Sequence, residues 1–266
     1  MKRLFLFDMD GTLTPPRQKM DINCELMITN IQRSGSEVGI ITGSDMNYIK
    51  QQCSGMFDMS LTNVNKIHFL PCNGTKYYFN KQLVYSNNMS EYMGTKNWRA
   101  LIGFLVDLQR ELCQTMPASF PLTGHFFDYR ESTLNWCPIG RNANQKDREK
   151  WESLDQDNAL RLPLMERIRD VLSSMDVEIT VKLGGDTSFD IFPAGWDKTY
   201  PLENTDIFSS YDEIYFVGDR CGKNGNDYEI YSHPKVNGYE TTGVLDTLNI
   251  VNKILEKIVS YDDKHP

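Results

Sequence analysis

The apolar positions of this chain fall into short unbroken runs separated by stretches of helical spacing. Leu4–Phe7, and Glu37–Ile41 within SEVGIITGSD, are too continuous for a half-exposed strand and too short for a helix. They predict strands buried on both faces of a parallel sheet. Between them Asp21–Arg33 (DINCELMITNIQR) spaces its apolar residues as a helix does, with Asp21 as N-cap. Strand, helix and strand of this size make a βαβ unit. The second strand ends in the small polar turn Thr42-Gly43-Ser44-Asp45, Met46–Cys53 is helical, and IHFLPCNGTKYY predicts a further strand turning at Asn73-Gly74.

From about Asn80 the texture changes. Trp98–Leu112 predicts an amphipathic helix, and GHFFDYRESTLNWCPIG holds two strand-like runs joined by polar residues. Arg148–Leu172 is charged and helical with few breakers, and VEITVKL is strand-like again. From SFDIFPAGWDK the first style returns: EIYFVGD is an apolar run closed by an acid, and Val244–Ile258 is an amphipathic helix. The pattern is an α/β fold in which a Rossmann-like core with a parallel sheet, 1–81 and 186–266, is interrupted by an inserted α+β unit, 82–185.

Composition narrows the class. With 266 residues, 40% of them hydrophobic, the chain can build a sizeable core. No apolar run approaches the ~20 residues of a membrane span, and Leu4–Phe7 is too short for a secretory leader. Six scattered cysteines without a CxxC pair fit reduced thiols, so a cytoplasmic protein is expected. A formal charge of -8 argues against broad nucleic-acid binding. A phosphate ligand would have to find its positive partners locally.

Ligands of parallel α/β sheets gather at the carboxyl ends of strands. Three such ends carry polar chemistry here: DMDGT, TGSD and GDRCGKNGND. Two carboxylates one residue apart, Asp8 and Asp10, repel each other and resist desolvation, so they imply a cation or a catalytic duty. Both could ligate a hard cation such as Mg²⁺, with Asp219 as a third carboxylate, and Lys198 in GWDK adds a positive charge. An EF-hand is excluded because the Gly of DxDG falls too early, no Glu closes the loop and a strand precedes it. Taken singly, Thr42 or Ser44 would be a helix cap and GDRCGKNGND a turn; in this order, each after an apolar strand, they point to phosphoryl transfer.

DMDGT, a Thr/Ser strand end, a Lys and GDxxxxxND resemble the haloacid dehalogenase superfamily. Within it the whole chain resembles the eukaryotic-type phosphomannomutase family, through DMDGTLTPPRQK, IITGSD, CNGT, PIGR with a second Arg seven residues on, SFDIFPAGWDK and GDRCGKNGNDYEIY. The resemblance implies a core bearing a cap, with Asp8 as nucleophile and Asp10 as the acid and base that serves the leaving and incoming oxygens. It implies Mg²⁺ held by Asp8, Asp10 (through its backbone carbonyl), Asp219 and Asp227, with Asn226 in support. Ser44, or alternatively Thr42, and Lys198 would hold the transferring phosphoryl oxygens. Arg17, Arg130, Arg141 and Arg148 would grip phosphate, and Ser188 and Asp190 the sugar hydroxyls.

The activity so implied is interconversion of mannose 6-phosphate and mannose 1-phosphate, primed by a hexose 1,6-bisphosphate and feeding GDP-mannose synthesis. A sugar-phosphate phosphatase, or a mutase that also takes glucose phosphates, shares every core residue. A non-catalytic sugar-phosphate binder would not need both Asp8 and Asp10. Departures from the family pattern are Leu122 and Thr123 in PLTG, Cys72 before the Asn-Gly turn, and Cys221 and Asn224 in the last acidic loop. His233 and Val236 stand where relatives hold a second cation, which is therefore not expected here. The apolar surface of Trp98–Leu112 and Phe126, with the relatives' mode of pairing, implies a homodimer formed through the cap.

Overall fold

The computed structural model describes residues 1–58, 63, 66–156, 159–223 and 225–262, so Asn224 lies outside the described residues. Along the chain come β1 (Arg3–Phe7), α1 (Ile22–Arg33), β2 (Glu37–Ile41), α2 (Met46–Gln52), α3 (Ser54–Asp58), β3 (Ile67–Leu70), β4 (Lys76–Phe79) and β5 (Gln82–Ser86). Next are α4 (Met89–Thr115), β6 (Phe127–Tyr129), β7 (Leu134–Trp136), α5 (Gln145–Leu154), α6 (Arg161–Ser173), β8 (Ile179–Gly184) and β9 (Ser188–Pro193). The chain finishes with α7 (Tyr200–Glu203), β10 (Glu213–Gly218), α8 (Tyr228–Tyr231), β11 (Asn237–Glu240) and α9 (Val244–Asp262). It divides into two compact units, Met1–Ser86 with Gly195–Pro266, and Asn87–Ala194.

In the first unit the strands run β11-β10-β1-β2-β3-β4-β5, parallel from β11 to β3 and antiparallel beyond. The two-residue period of a strand explains why β1 is apolar from Leu4 to Phe7. Phe5 and Phe7 join the core formed with α1, α2 and α9, through Met27, Ile28, Ile49, Val251 and Ile254. Leu4 and Leu6 join the opposite core, with Leu202, Phe208, Phe216 and Ile230. Asp21 caps α1 as expected, its carboxylate accepting from the Asn23 N–H at 2.8 Å. Asp45 does the same for α2, accepting from the Tyr48 N–H at 2.8 Å. Because β1 lies between β10 and β2, its carboxyl end is a switch point of the sheet, where chain loops diverge and leave room for a ligand.

The second unit is a four-stranded antiparallel sheet, β6-β7-β9-β8, with α4 packed on β9 and α6 on β8. Trp136 stacks on Phe189 with ring centroids 5.1 Å apart, and its indole N–H donates to Gln109 of α4 at 2.8 Å. Two expectations are corrected here. The boundaries move from 81/82 and 185/186 to 86/87 and 194/195, because β5 pairs with β4 while β9 lies between β7 and β8. The single helix expected over Arg148–Leu172 is two helices, α5 and α6. Asp155 ends the first and caps the second, accepting from the N–H groups of Leu160 and Arg161 at 2.9 and 2.8 Å and from Arg161 Nε at 2.5 Å. Among the described residues no helix is long and apolar enough to cross a membrane.

Candidate active site

At the carboxyl end of β1 the ladder continues one residue further, Asp8 N–H donating to Val217 O at 2.9 Å. This presents the Asp8 side chain beside the ends of β10 and β2. Asp8, Asp219 and Asp227 each place a carboxylate oxygen within 4.8 Å of the others. Lys198, 1% exposed, donates to Asp8 Oδ1 and, at 2.5 Å, to Asp227 Oδ1. The second Asp227 oxygen accepts from the Arg220 N–H at 3.1 Å, which ties the acidic loop to the same point.

Electrostatics make this cluster costly. Burial pushes the Asp8 carboxyl up from 3.8 to about 7, with Lys198 opposing the rise and Asp227 and Asp219 adding to it. Burial opposes the charge on Lys198, but Asp227 and Asp8 hold its ammonium above its ordinary value. Asp219 is raised, by burial and then by Asp227. Three oxygen donors so placed suit a hard divalent cation such as Mg²⁺. The backbone around them is shaped to let them converge. Gly11 has φ +84°, and a Cβ there would lie 2.3 Å from Asp219 Oδ2. A Cβ on Gly218 would lie 2.6 Å from Asp227 Oδ2.

Asp10 stands apart from the three-carboxylate group. Its Oδ1 accepts from the Arg17 backbone N–H at 3.0 Å and from the Tyr48 hydroxyl at 2.8 Å. Arg17 itself is exposed and left-handed, φ 59°. At the end of β2, Thr42 is buried and its hydroxyl accepts from the Ser44 N–H at 3.2 Å, while Ser44 is half-buried. The next strand end closes on this turn, with Cys72 N–H donating to Ser44 O and Asn73 N–H to Thr42 O, both at 2.8 Å.

The second unit gathers a separate polar set. Asp128 Oδ2 accepts from Arg130 at 2.9 Å and faces Arg141 Nε at 3.5 Å. Arg141 donates to Asn135 Oδ1 at 2.8 Å, and Asn135 donates to Asp190 Oδ1 at 2.7 Å. Burial and the neighbouring Arg130 charge lower the pKa of Arg141 from its ordinary value. Ser188 turns its hydroxyl to Gly184 O at 2.8 Å, and Arg148 lies half-buried on α5 without a hydrogen bond to the others among the described residues.

The sequence profile of the eukaryotic phosphomannomutase family matches residues 25–257. The chain belongs to the eukaryotic phosphomannomutase family. It is 32% identical over 254 residues to the phosphomannomutase of Schizosaccharomyces pombe (strain 972 / ATCC 24843), covering 95% of this chain and 94% of that one. Against the phosphomannomutase of Drosophila melanogaster it is 32% identical over 255 residues, covering 95% of each. Among solved structures it resembles an IMP-bound, N-terminally truncated IMP-nucleotidase of Plasmodium falciparum, with TM-score 0.61, 11% identity and coverage of 96% and 68%. It also resembles a trehalose-6-phosphate phosphatase related protein, with TM-score 0.56, 14% identity and coverage of 97% and 99%. These two establish the haloacid dehalogenase fold.

For a member of the phosphomannomutase family, the residues singled out in the sequence divide by unit. Asp8, Lys198, Asp219 and Asp227 meet in the first, with Asp10, Arg17 and the Thr42–Ser44 turn on the same unit. Arg130, Arg141 and Asp190 join one polar network in the second. Tyr48, Asp128 and Asn135 were not expected. Tyr48 sits on a helix where nothing local marks it. Asn135 carries a weak signal, an amide between the buried Leu134 and Trp136 of a strand.

Proposed function

We propose that this chain interconverts mannose 6-phosphate and mannose 1-phosphate through an aspartyl phosphate on Asp8 and a hexose 1,6-bisphosphate. The observation that carries the proposal is the buried Asp8–Lys198–Asp227 chain at the end of β1, next to Asp219, in a member of this family. A nucleophilic carboxylate held against a buried ammonium is a device for attacking phosphorus.

In the proposed cycle the C6 hydroxyl of mannose 1-phosphate attacks phosphorus of the aspartyl phosphate, giving its proton to Asp10 as the bond to Asp8 breaks. The resulting bisphosphate presents its other end. Asp8 then attacks that phosphorus, the bond to the C1 oxygen breaks, and Asp10 returns the proton to the leaving oxygen. The Tyr48 hydroxyl and Arg17 N–H fix one Asp10 oxygen, leaving the other for this exchange. Lys198 neutralises Asp8 between attacks, and Ser44, the more exposed of the two hydroxyls after β2, binds a phosphoryl oxygen. Mg²⁺, held by Asp8, Asp219 and Asp227 with the Asp10 carbonyl, would supply charge neutralisation for the phosphoryl oxygens.

Arg17, Arg130, Arg141 and Arg148 are the proposed partners of the phosphate that is not reacting, and Ser188 and Asp190 of the sugar hydroxyls. The inserted unit acts as the substrate-binding cap. The six cysteines, none of them in a disulfide, support a cytoplasmic site of action. Val106, 49% exposed on α4, supports a homodimer through the cap.

The test follows mannose 1-phosphate with Mg²⁺, with and without glucose 1,6-bisphosphate, and resolves mannose 6-phosphate from inorganic phosphate. Bisphosphate-dependent mannose 6-phosphate, lost in Asp8→Asn, is the expected result. Free phosphate without isomer would replace the mutase by a phosphatase.

A further inference from the structure

We propose that Asn135 is a positioning residue whose side-chain amide locks the Arg141 guanidinium to the Asp190 carboxylate, over a gap kept open by Gly184. The inference rests on the sugar-phosphate reading above, in which Arg141 binds phosphate and Asp190 a sugar hydroxyl.

Strand register creates the arrangement. Asp128 of β6 lies opposite Asn135 of β7, and Asn135 lies opposite Asp190 of β9, so the three stand in one row across the sheet. Asn135 is 3% exposed, yet both ends of its amide are engaged. Oδ1 accepts from Arg141 Nη1 at 2.8 Å and Nδ2 donates to Asp190 Oδ1 at 2.7 Å. Chemistry dictates this orientation, since a guanidinium only donates and an ionised carboxylate only accepts. Aspartate in the same place could accept from Arg141 but not donate to Asp190, and leucine could do neither.

Gly184, at the end of the neighbouring β8, is the second observation. A Cβ there would lie 2.8 Å from Asp190 Oδ2 and 3.2 Å from Asn135 Nδ2. The space a side chain would take is therefore filled by the Asp190–Asn135 pair. Asp128 completes the support by sharing one oxygen between Arg130 and Arg141, which keeps two neighbouring guanidiniums from repelling each other apart. One amide thus couples the phosphate grip to the hydroxyl grip, so that neither rotates independently of the other.

A merely structural amide would affect folding. A positioning amide affects substrate binding. The full chain is assayed with Mg²⁺, glucose 1,6-bisphosphate and varied mannose 1-phosphate, alongside a thermal melt. Asn135→Ala is expected to raise KM roughly ten- to a hundredfold, the loss of hydrogen bonds to two charged groups, with kcat within about threefold. Gly184→Ala is expected to raise KM by about threefold or more by displacing Asp190 while the Asn135 amide remains, and it decides the matter if Asn135→Ala does not fold. Asn135→Asp is expected to be no better than Asn135→Ala, because it faces Asp190 with a second carboxylate. KM within twofold of the native value in folded Asn135→Ala, or in Gly184→Ala, overturns the inference. A native chain that makes no mannose 6-phosphate overturns the functional reading as well, whereas an active native chain with unmoved KM overturns only the role of Asn135.

Discussion

Replacing the proposed nucleophile should make the metal-free protein more stable at neutral pH, not less. In the folded chain Asp8 keeps its proton until about pH 7, whereas its ordinary value is 3.8. Between those values the folded state binds more protons than the unfolded state, so stability falls as pH rises through this window. Each unit of pKa is worth ~1.36 kcal/mol, so the ionised Asp8 costs roughly 4 kcal/mol above pH 7 when no cation is present. Asp8→Asn keeps the shape and an oxygen that can accept from Lys198, but it never ionises. Lys198 retains Asp227 as its counter-charge.

The assay is scanning calorimetry of native and Asp8→Asn protein in EDTA at pH 5 and pH 8, with the difference between the two proteins isolating Asp8 from every other titrating group. At pH 8 the variant should be more stable by roughly 4 kcal/mol, a rise in melting temperature of about 8–16 °C for the unit that contains it. At pH 5 less than half of that gain should remain. Mg²⁺ at pH 8 should then stabilise the native protein more than the variant, because the cation binds the ionised form. A variant less stable than native at pH 8, or an equal gain at both pH values, would refute the reasoning.

Three further outcomes follow from other contacts. Gly11→Ala forces a Cβ against Asp219 Oδ2 at a left-handed φ, so Mg²⁺ affinity measured by titration calorimetry should fall about tenfold or more while the second unit melts unchanged. Tyr48→Phe removes one of the two hydrogen bonds to Asp10 Oδ1, and steady-state kinetics should show kcat reduced by roughly five- to tenfold with KM unaltered. Arg161→Met strands the buried Asp155 carboxylate, 2% exposed, and should destabilise the second unit by about 3–5 kcal/mol in urea denaturation; a loss below about 1 kcal/mol would show that the pair is dispensable.

The strands of the first unit were legible because a sheet covered on both faces demands unbroken apolar runs, and nothing else in a chain of this kind produces them. The acids were legible for the converse reason. A carboxylate at the end of a buried run has no packing role, so Asp8 and Asp219 announced chemistry from their position alone. What pairing decides was not legible. Gln82–Ser86 and Ser188–Pro193 carry similar strand patterns, and only their partners show that one belongs to the first sheet and the other to the second. The break between α5 and α6 depends on Asp155 bonding Arg161 six residues on, a spacing that no helical period reveals.

Lys198 shows most clearly where the two kinds of knowledge meet. Its charge, and its place in GWDK, were plain in the sequence, but its partners lie 190 and 29 residues away along the chain. Only the folded sheet brings Asp8, Asp227 and Lys198 into one buried chain, and that chain changes the meaning of the paired acids. Once Asp8 ionises, two carboxylates beside one ammonium leave a net negative charge out of water, and Asp219 adds to it. A protein selected for stability alone would replace one of them, since uncompensated buried charge is among the most destabilising features a core can carry. Its retention makes the first unit a site whose missing stability returns when a cation arrives. That same property gives an aspartate the reactivity a phosphoryl acceptor needs.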